Sequence, residues 1–386
     1  MQKHDQDYIK RKNRDTVFHL IKNHAPVSRA QLARMTGMSP TTVSRIVAEL
    51  DEQGYVLESE SVTSGVGRKA AWLTLNRAMV LTIGIELDKT RFRIGIMDLD
   101  GELVVLKEYE RIPTETPEAT VMHIQRTLDQ LFDEEKIDPA KVIGVGVGIP
   151  GIIDHRSGVV ILSAQLGWHH VPAAALFHEH LGYETVIDNE LKARALAEHV
   201  KGRAIHSRKT ALIRFGSGVG SALIIEGEIY RGENNSAGEI GHTVIDPMGT
   251  TCECGKVGCL QTYIAEGALL KEASKYSSIT NLPELFEASR SGHVWAEQIV
   301  RKAMVYMGVT INNILCMYNP DSIILSGDIV EKFHEVRTFM DEGELHAMIW
   351  EPLLHSFDIH YSSLEVEGVV LGSGMLAQKK FFRVTH

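Results

Sequence analysis

Three of the four cysteines in this chain, Cys252, Cys254 and Cys259, fall within eight residues, and His242 lies ten positions before the first. No other feature constrains the fold as strongly. One imidazole and three thiolates make a closed tetrahedral set for Zn2+, the coordination of a structural rather than a catalytic ion. To bring the four together, the stretch 238–260, GEIGHTVIDPMGTTCECGKVGCL, has to wrap into a compact loop around the metal. Glu239 sits between the glycines of GEIGH, so the pinned loop also presents hydrogen-bonding groups. Clustered thiols of this kind fit metal binding in a reducing compartment better than a disulfide framework.

Charge is distributed unevenly. The whole chain of 386 residues carries −10, which by itself argues against nucleic acid. Residues 1–50, however, hold nine Lys or Arg against four Asp or Glu, a net +5 that leaves −15 on the remainder. A basic arm on an acidic body is the footprint of a DNA-binding module joined to something else. The length allows two or three domains, and 44% hydrophobic with 23% charged residues is ordinary globular composition. No stretch approaches the roughly 18 apolar residues of a membrane span, and the polar start MQKHDQDYIKRKNR is no signal peptide. The expectation is a cytoplasmic protein without membrane insertion.

The arm has a readable pattern. Val17, Leu20 and Ile21 have helical spacing within 14–23. Ser28 and Gln31 make a capping box for a short second helix that ends near Thr36-Gly37. Ser39-Pro40 then opens a third helix, along which Val43, Ile46, Val47 and Leu50 form one apolar stripe. Two short helices across a glycine turn, after a longer one, predict a helix-turn-helix. The opposite face of the third helix offers Ser39, Thr41, Thr42, Ser44 and Arg45, groups suited to phosphates and base edges in a major groove. Residues 55–57 and 71–75 read as a two-stranded wing, whose basic tip, Arg68 and Lys69, suits a minor groove. The competing reading is a small helical oligomerisation domain. A boundary is expected near residue 78.

Beyond it strands and helices alternate, as in an α/β body. Strands are expected at Leu81–Leu87, Arg91–Met97, 142–147, 211–215, 221–225 and 322–325, and helices at 120–132 and 297–317. No internal repeat is visible. Residues 146–151, GVGIPG, match a dinucleotide fingerprint formally, but Pro150 and the absence of a following helix pattern argue against it. Residues 216–220, GSGVG, lie between strands and read equally as an anion-binding nest or a tight hairpin. Gly372-Ser373-Gly374 suggests close packing at the start of the last helix, and Cys316 suggests core packing. Trp168 fits lobe packing or a sugar-stacking face equally well.

With these pieces in order, the chain resembles the ROK family (repressors, open reading frames and kinases) over essentially its whole length. The match is carried by GIPG at 148–151, FGSGVG at 215–220, YRGENNSAGEIGH at 230–242, CECGKVGCL at 252–260 and NPDSIILSG at 319–327. The resemblance implies a two-lobed, actin-like (ribonuclease-H-like) ATPase α/β fold with sugar bound between the lobes. Its repressor branch, of the xylose-operon and Mlc/NagC type, adds an N-terminal winged helix-turn-helix. The implied domains are 1–78 for DNA binding, 79–190 for the first lobe completed by a C-terminal helix 372–386, and 191–371 for the second lobe with its zinc.

The residue assignments follow from the same resemblance. The family's kinases carry D-I-G-G-T after the first strand; here Glu86-Leu87-Asp88-Lys89-Thr90 stands there, with both glycines lost and an acid facing the phosphate position. The later Gly-Gly motif is Ser326-Gly327-Asp328. Asn189-Glu190-Leu191-Lys192 aligns with the segment carrying the kinase base, which places Glu190 at the base position. The plain alternative for Glu190 is an acid favoured by the helix dipole. Glu239 and His242 match sugar contacts, with His242 also a zinc ligand. Gln261 replaces a Glu, Gln165 replaces an Asn, and Asn234 and its neighbour Asn235 are candidate sugar contacts or turn residues. Together Glu190, Lys192, Gln261 and Gln165 imply an altered sugar preference.

The resulting expectation is a repressor of carbohydrate genes with one structural Zn2+, no catalytic residue, operator DNA and a sugar effector as partners, and a homodimer or higher oligomer. A transporter subunit is a further partner implied only by likeness to the Mlc type. The alternative is a ROK-type sugar kinase with an accessory DNA-binding arm.

Overall fold

The computed structural model describes residues 2–60, 71–341, 343–364 and 366–382. The N-terminal module contains α1 (Gln2–His24), β1 (Val27–Ser28), α2 (Arg29–Thr36), α3 (Pro40–Glu52), β2 (Val56–Glu60) and β3 (Ala71–Leu75). Helix α1 is longer than the apolar spacing at 14–23 predicts. The capping box closes as read from sequence: Ser28 Oγ accepts from the Gln31 amide, and Gln31 Oε1 accepts from the Ser28 amide at 2.9 Å. Gly37 ends α2 in the left-handed region at φ 69°. Val43, Ile46, Val47 and Leu50 of α3 are buried, and β3 pairs with both β1 and β2 to make the wing.

The first lobe follows, with β4 (Leu81–Leu87), β5 (Arg91–Met97), β6 (Leu103–Glu110), α4 (Pro117–Glu135) and β7 (Val142–Ile149). It continues through β8 (Ile152–Asp154), β9 (Val159–Ser163), β10 (Trp168–Val171), α5 (Ala173–Leu181), β11 (Thr185–Asn189) and α6 (Glu190–Val200). Its sheet runs β11-β7-β4-β5-β6. A strand, β8, and no helix follows GVGIPG, so that stretch is no dinucleotide fingerprint. Trp168 is 2% exposed within this lobe's core, which settles it as packing.

The second lobe comprises β12 (Lys209–Phe215), β13 (Val219–Ile225), β14 (Glu228–Tyr230), α7 (Gln261–Ile264), α8 (Glu266–Ala273), α9 (Leu282–Arg290) and α10 (Val294–Tyr318). After these come β15 (Ser322–Ser326), α11 (Asp328–Lys332), α12 (His334–Asp341) and β16 (Asp358–Tyr361), and the last described helix, α13 (Gly368–Phe381), returns to the first lobe. Its sheet runs β14-β13-β12-β15-β16.

The two sheets share one plan that no sequence repeat announces. In each, the first strand in the chain (β4 or β12) has an antiparallel meander on one side and two parallel strands on the other. Helix α13 packs on β4 and β7 of the first sheet, α6 packs on β12 and β13 of the second, and the two helices pack on each other. Contact this close requires bare backbone. A Cβ on Gly146 would lie 1.9 Å from Ser373 O, and one on Gly372 would lie 1.8 Å from Ala193 O. The Gly372-Ser373-Gly374 run does mark close packing, but within α13, which begins four residues earlier than expected. Cys316 lies exposed near the end of α10, not in the core, because the apolar stripe of that helix runs through Ile311, Ile314 and Leu315.

The N-terminal module is not held by a linker alone. Leu99 and Phe382 of the body join the core cluster of the module. The Phe382 ring lies 5.2 Å from that of Phe18 and 5.7 Å from that of Tyr55. Among the described residues no helix is long and apolar enough to cross a membrane.

Candidate functional site: an inter-lobe cleft beside a metal centre

The four metal-ligand candidates converge. His242 ends a short 3-10 turn (Ile240–His242), and bridges between Val244 and Cys259 and between Thr251 and Val257 fold the cysteine segment back on it. Cys252 Sγ lies 3.8 Å from His242 Nδ1, Cys254 Sγ lies 3.6 Å from Cys259 Sγ, and all four ligand atoms fall within 4.8 Å. A tetrahedral zinc with ~2.3 Å metal–sulfur bonds has edges of ~3.8 Å, so the set fits that ion. Such sulfur separations are far too long for a disulfide, whose S–S bond is about 2.05 Å. The Lys256 amide hydrogen bond brings Cys254 down to about 7, whereas burial pushes Cys259 up to about 12. A bound ion would take both as thiolates. With four protein ligands its chemistry would be structural.

A polar cleft of about 110 Å3 opens between the lobes, lined by Gly151, Asn189, Glu190, Arg214, Glu239 and the hairpin 218–221. Asn189 caps α6: its Oδ1 accepts from the Leu191 and Lys192 amides at 2.9 and 3.3 Å, and its Nδ2 donates to Gly151 O at 3.0 Å. Glu190 opens α6 and accepts from Arg214 Nη1 at 2.7 Å. Burial raises the Glu190 carboxyl above its ordinary range, with Arg214 pulling the other way. Burial likewise raises Glu239, opposed by Lys192 and His242. The GSGVG segment is both a tight hairpin, with Gly216 N donating to Gly218 O at 3.1 Å, and a wall of this cleft. Two carboxylates and an amide on a rigid helix start can read sugar hydroxyls.

Below the floor lies a polar layer that the sequence reading missed. Asp188 is 1% exposed and pairs with Arg231 Nη1 at 2.6 Å. Asn235 Nδ2 donates to Asp188 Oδ1 at 3.1 Å and to Ile153 O at 3.0 Å, while Asn235 Oδ1 accepts from Arg231. Lys192, also buried, donates to Asn235 O at 2.9 Å. Of the two candidates from sequence, Asn234 is exposed and does not line the cleft, and Asn235 is buried. The reason is backbone: Asn235 takes φ 62°, which Asn tolerates, and this turns its side chain inward. Gln261 also departs from expectation. Its Nε2 donates to Cys252 Sγ at 3.4 Å and to Glu253 Oε1 at 3.0 Å, so it supports the metal loop rather than lining the cleft. His242 is exposed and faces Cys252, and of the GEIGH segment Gly238 and Glu239 line the cleft. Arg214 carried no sequence signal except its place just before FGSGVG.

The opposite wall is acidic. Glu86 pairs with Arg93 at 2.6 Å, and Arg93 also pairs with Glu108 at 2.6 Å. Asp88 Oδ1 accepts from the Lys89 amide at 2.6 Å, so the carboxylate occupies the turn itself. Arg214, half-buried, feels Glu190 first and then Asp88, Glu86 and Asp328, all of which hold its proton more firmly.

On the N-terminal module Ser39, Thr41, Ser44 and Arg45 are exposed on α3. Thr42 is half-buried and serves the cap, with its amide donating to Ser39 Oγ at 3.2 Å. Arg68 and Lys69 lie outside the described residues.

Comparison with known proteins places this geometry. A model described as the ROK family matches residues 82–380, and one described as the MarR family matches residues 16–65. The xylose repressor of Bacillus subtilis (strain 168) is 27% identical over 377 residues, covering 98% of this chain and 97% of its own. The DNA-binding transcriptional dual regulator NagC of Escherichia coli (strain K12) is 27% identical over 337 residues, covering 84% of this chain and 82% of its own. A solved ROK family transcriptional regulator, a homologue of the Escherichia coli Mlc protein, superposes with TM-score 0.81 at 20% identity, covering 95% of this chain and 96% of that one. The ROK hexokinase of Thermus thermophilus superposes with TM-score 0.69 at 24% identity, over 78% of this chain and 99% of its own.

Proposed function

The chain belongs to the ROK family, and from that premise we propose that it is a sugar-responsive transcriptional repressor with a two-lobed actin-like body and a winged-helix DNA-binding module. The observation that carries this reading is the union of the two parts in one chain. A module with an exposed α3 face bearing Thr41, Ser44 and Arg45 is packed, through Phe18, Tyr55 and Phe382, onto a body with a polar inter-lobe cleft. Relatives named as sugar-operon repressors match both parts, whereas the hexokinase matches the body alone.

The cleft supports sensing over phosphorylation. A kinase base at Glu190 would have to take a proton from a sugar hydroxyl; here Arg214 on Oε1 at 2.7 Å lowers its basicity while leaving Oε2 to accept a hydroxyl hydrogen bond. Asp88 stands where a phosphate loop would offer backbone N–H groups, and like charge weakens nucleotide binding there. Asn189, Glu190 and Glu239 read the sugar, the buried Asp188–Asn235–Lys192 layer holds them in register, and zinc on His242, Cys252, Cys254 and Cys259 fixes the loop that carries Glu239. Two copies would set paired α3 helices on half-sites about one DNA turn apart, ~34–36 Å. Effector binding then works through unequal affinity for two lobe arrangements.

The test selects bound fragments from the source genome with full-length protein, then follows release of the selected duplex by fluorescence anisotropy against a panel of free hexoses, pentoses and amino sugars. Release by one sugar, without ATP turnover, is expected. Sugar phosphorylation that disappears in Glu190→Gln, together with no selected DNA, would reverse the assignment.

A further inference from the structure

A second and larger cavity lies away from the cleft. It measures about 550 Å3 and forms where α1 of the DNA-binding module meets α6 and α13 of the body. Small-molecule sites commonly occupy ~300–1,000 Å3 with mostly apolar walls and a few placed polar groups. Here the apolar wall is Phe18, Leu99, Leu196, Val200, Met375 and Phe382, and the polar lining is two lysines, Lys22 and Lys379, with Gln378, His19 and a single carboxylate, Asp15.

Lys22 is the informative group. Its Nζ donates to Leu99 O and to Gln378 Oε1, both at 3.0 Å, and both acceptors are neutral. An ammonium has three N–H donors, and among the described residues no carboxylate forms an ion pair with this one. Burial pulls its pKa down, with Asp100 opposing and Lys201 adding to the fall. A half-buried cation that lines an apolar cavity without a paired anion is completed by a ligand with a single negative charge. The apolar wall disfavours a dianion such as a phosphate monoester.

We propose that this junction cavity binds a monocarboxylic acid with an apolar body, its carboxylate on Lys22 and its hydrocarbon against Phe18, Leu196, Val200 and Met375. The ligand would bridge the DNA-binding module and the body. Helix α6 runs from the cleft, at Glu190, to this cavity, at Val200, so one rigid element faces both sites. The cavity therefore provides a second input to the angle of the DNA-binding module, independent of the sugar.

Isothermal titration of full-length protein with octanoate and with 4-phenylbutyrate, against the uncharged 4-phenylbutyramide, tests this. The acid should bind at least about tenfold tighter than the amide, and Lys22→Met should remove that preference without altering amide binding. Val200→Phe, at a position 47% exposed and so safe for folding, should fill the cavity and weaken acid and amide alike by about tenfold. The proposal fails if neither acid binds at millimolar concentration, if Lys22→Met keeps the acid preference, or if Val200→Phe leaves the acid affinity unchanged. Should Lys22→Met not fold, the wild-type acid preference and Val200→Phe decide between the same two results.

Discussion

The two walls of the inter-lobe cleft are built from the same fold and behave oppositely. On the sugar wall the polar groups are fixed by backbone: Asn189 uses both ends of its amide to hold the start of α6 against Gly151. Gly238, at φ 104°, lets the loop lie so close to Ser221 that a Cβ there would fall 2.0 Å from Ser221 O, and so delivers Glu239 to the cleft. On the facing wall no comparable nest of free N–H groups remains at the first turn, because Asp88 accepts from the Lys89 amide and Glu86 is taken by Arg93. Arg214 stands between the walls and couples Glu190 to the acids opposite. On the proposed reading, a handful of charges separates a site that senses a sugar from one that could also transfer phosphate to it.

The largest break in this comparison should come from the metal. Chelation, or Cys254→Ser, is expected to release the ion and cost on the order of 4 kcal/mol of stability, since the loop bearing Glu239 loses its anchor. Metal analysis and melting curves check this; unchanged metal content with an unchanged melting temperature would detach the sugar wall from the zinc.

Arg214→Leu comes next, because it strands a buried carboxylate. The cost at neutral pH should be about 3 kcal/mol, reduced from the fully buried case by the partial exposure of Arg214. Its sign with pH is fixed. Burial already raises Glu190 above 4.5, so the contribution of Glu190 to stability is fully present below that value and is lost as pH rises through the folded pKa. Removing Arg214 raises the folded pKa further, so the variant should approach wild type near pH 4.5 and diverge from it toward neutrality. Adding Glu190→Gln should flatten that dependence. A pH-independent loss in denaturant titrations would mean the pair is not electrostatic.

Arg45→Ala should weaken operator binding by ~1–3 kcal/mol and lower the salt slope, with the fold and metal content intact. Anisotropy at two salt concentrations measures both; unaltered affinity would move the recognition face elsewhere. The smallest effect is expected from Asp88→Gly with Lys89→Gly, which restores the glycines on the acidic wall. Coupled-assay turnover with ATP should remain undetectable, because Glu190 is still held by Arg214 and Asp328 still faces the site. Appearance of turnover would show that the loop alone divides the two activities.

Legibility followed the range of the interaction. The N-terminal helices were readable because Ser28, Gln31, Gly37, Ser39 and Pro40 act within a turn of where they stand. The metal set was readable because its four ligands, His242, Cys252, Cys254 and Cys259, all lie within one 18-residue segment and three are thiols. Asn234 and Asn235 could not be told apart by pattern, because the left-handed backbone at Asn235 decides which of the two side chains is buried. Gln261 was assigned to the sugar by pattern, yet the nearest acceptors, a thiolate and Glu253, hold its amide instead. Arg214 gave no signal, since its partner lies 24 residues away on another lobe.

The sequence by itself determined the α3 stripe, the metal ligands and six of the ten strands in the two large sheets. Periodicity and capping are local, and the four donor side chains have few other uses. Only the tertiary structure decided that both sheets share one topology, that α6 and α13 pack with bare backbone between them, and that the DNA-binding module shares a core with the body. It also decided which charges meet in the cleft. These depend on surfaces brought together from distant positions, where close packing and burial, not local preference, select the partners.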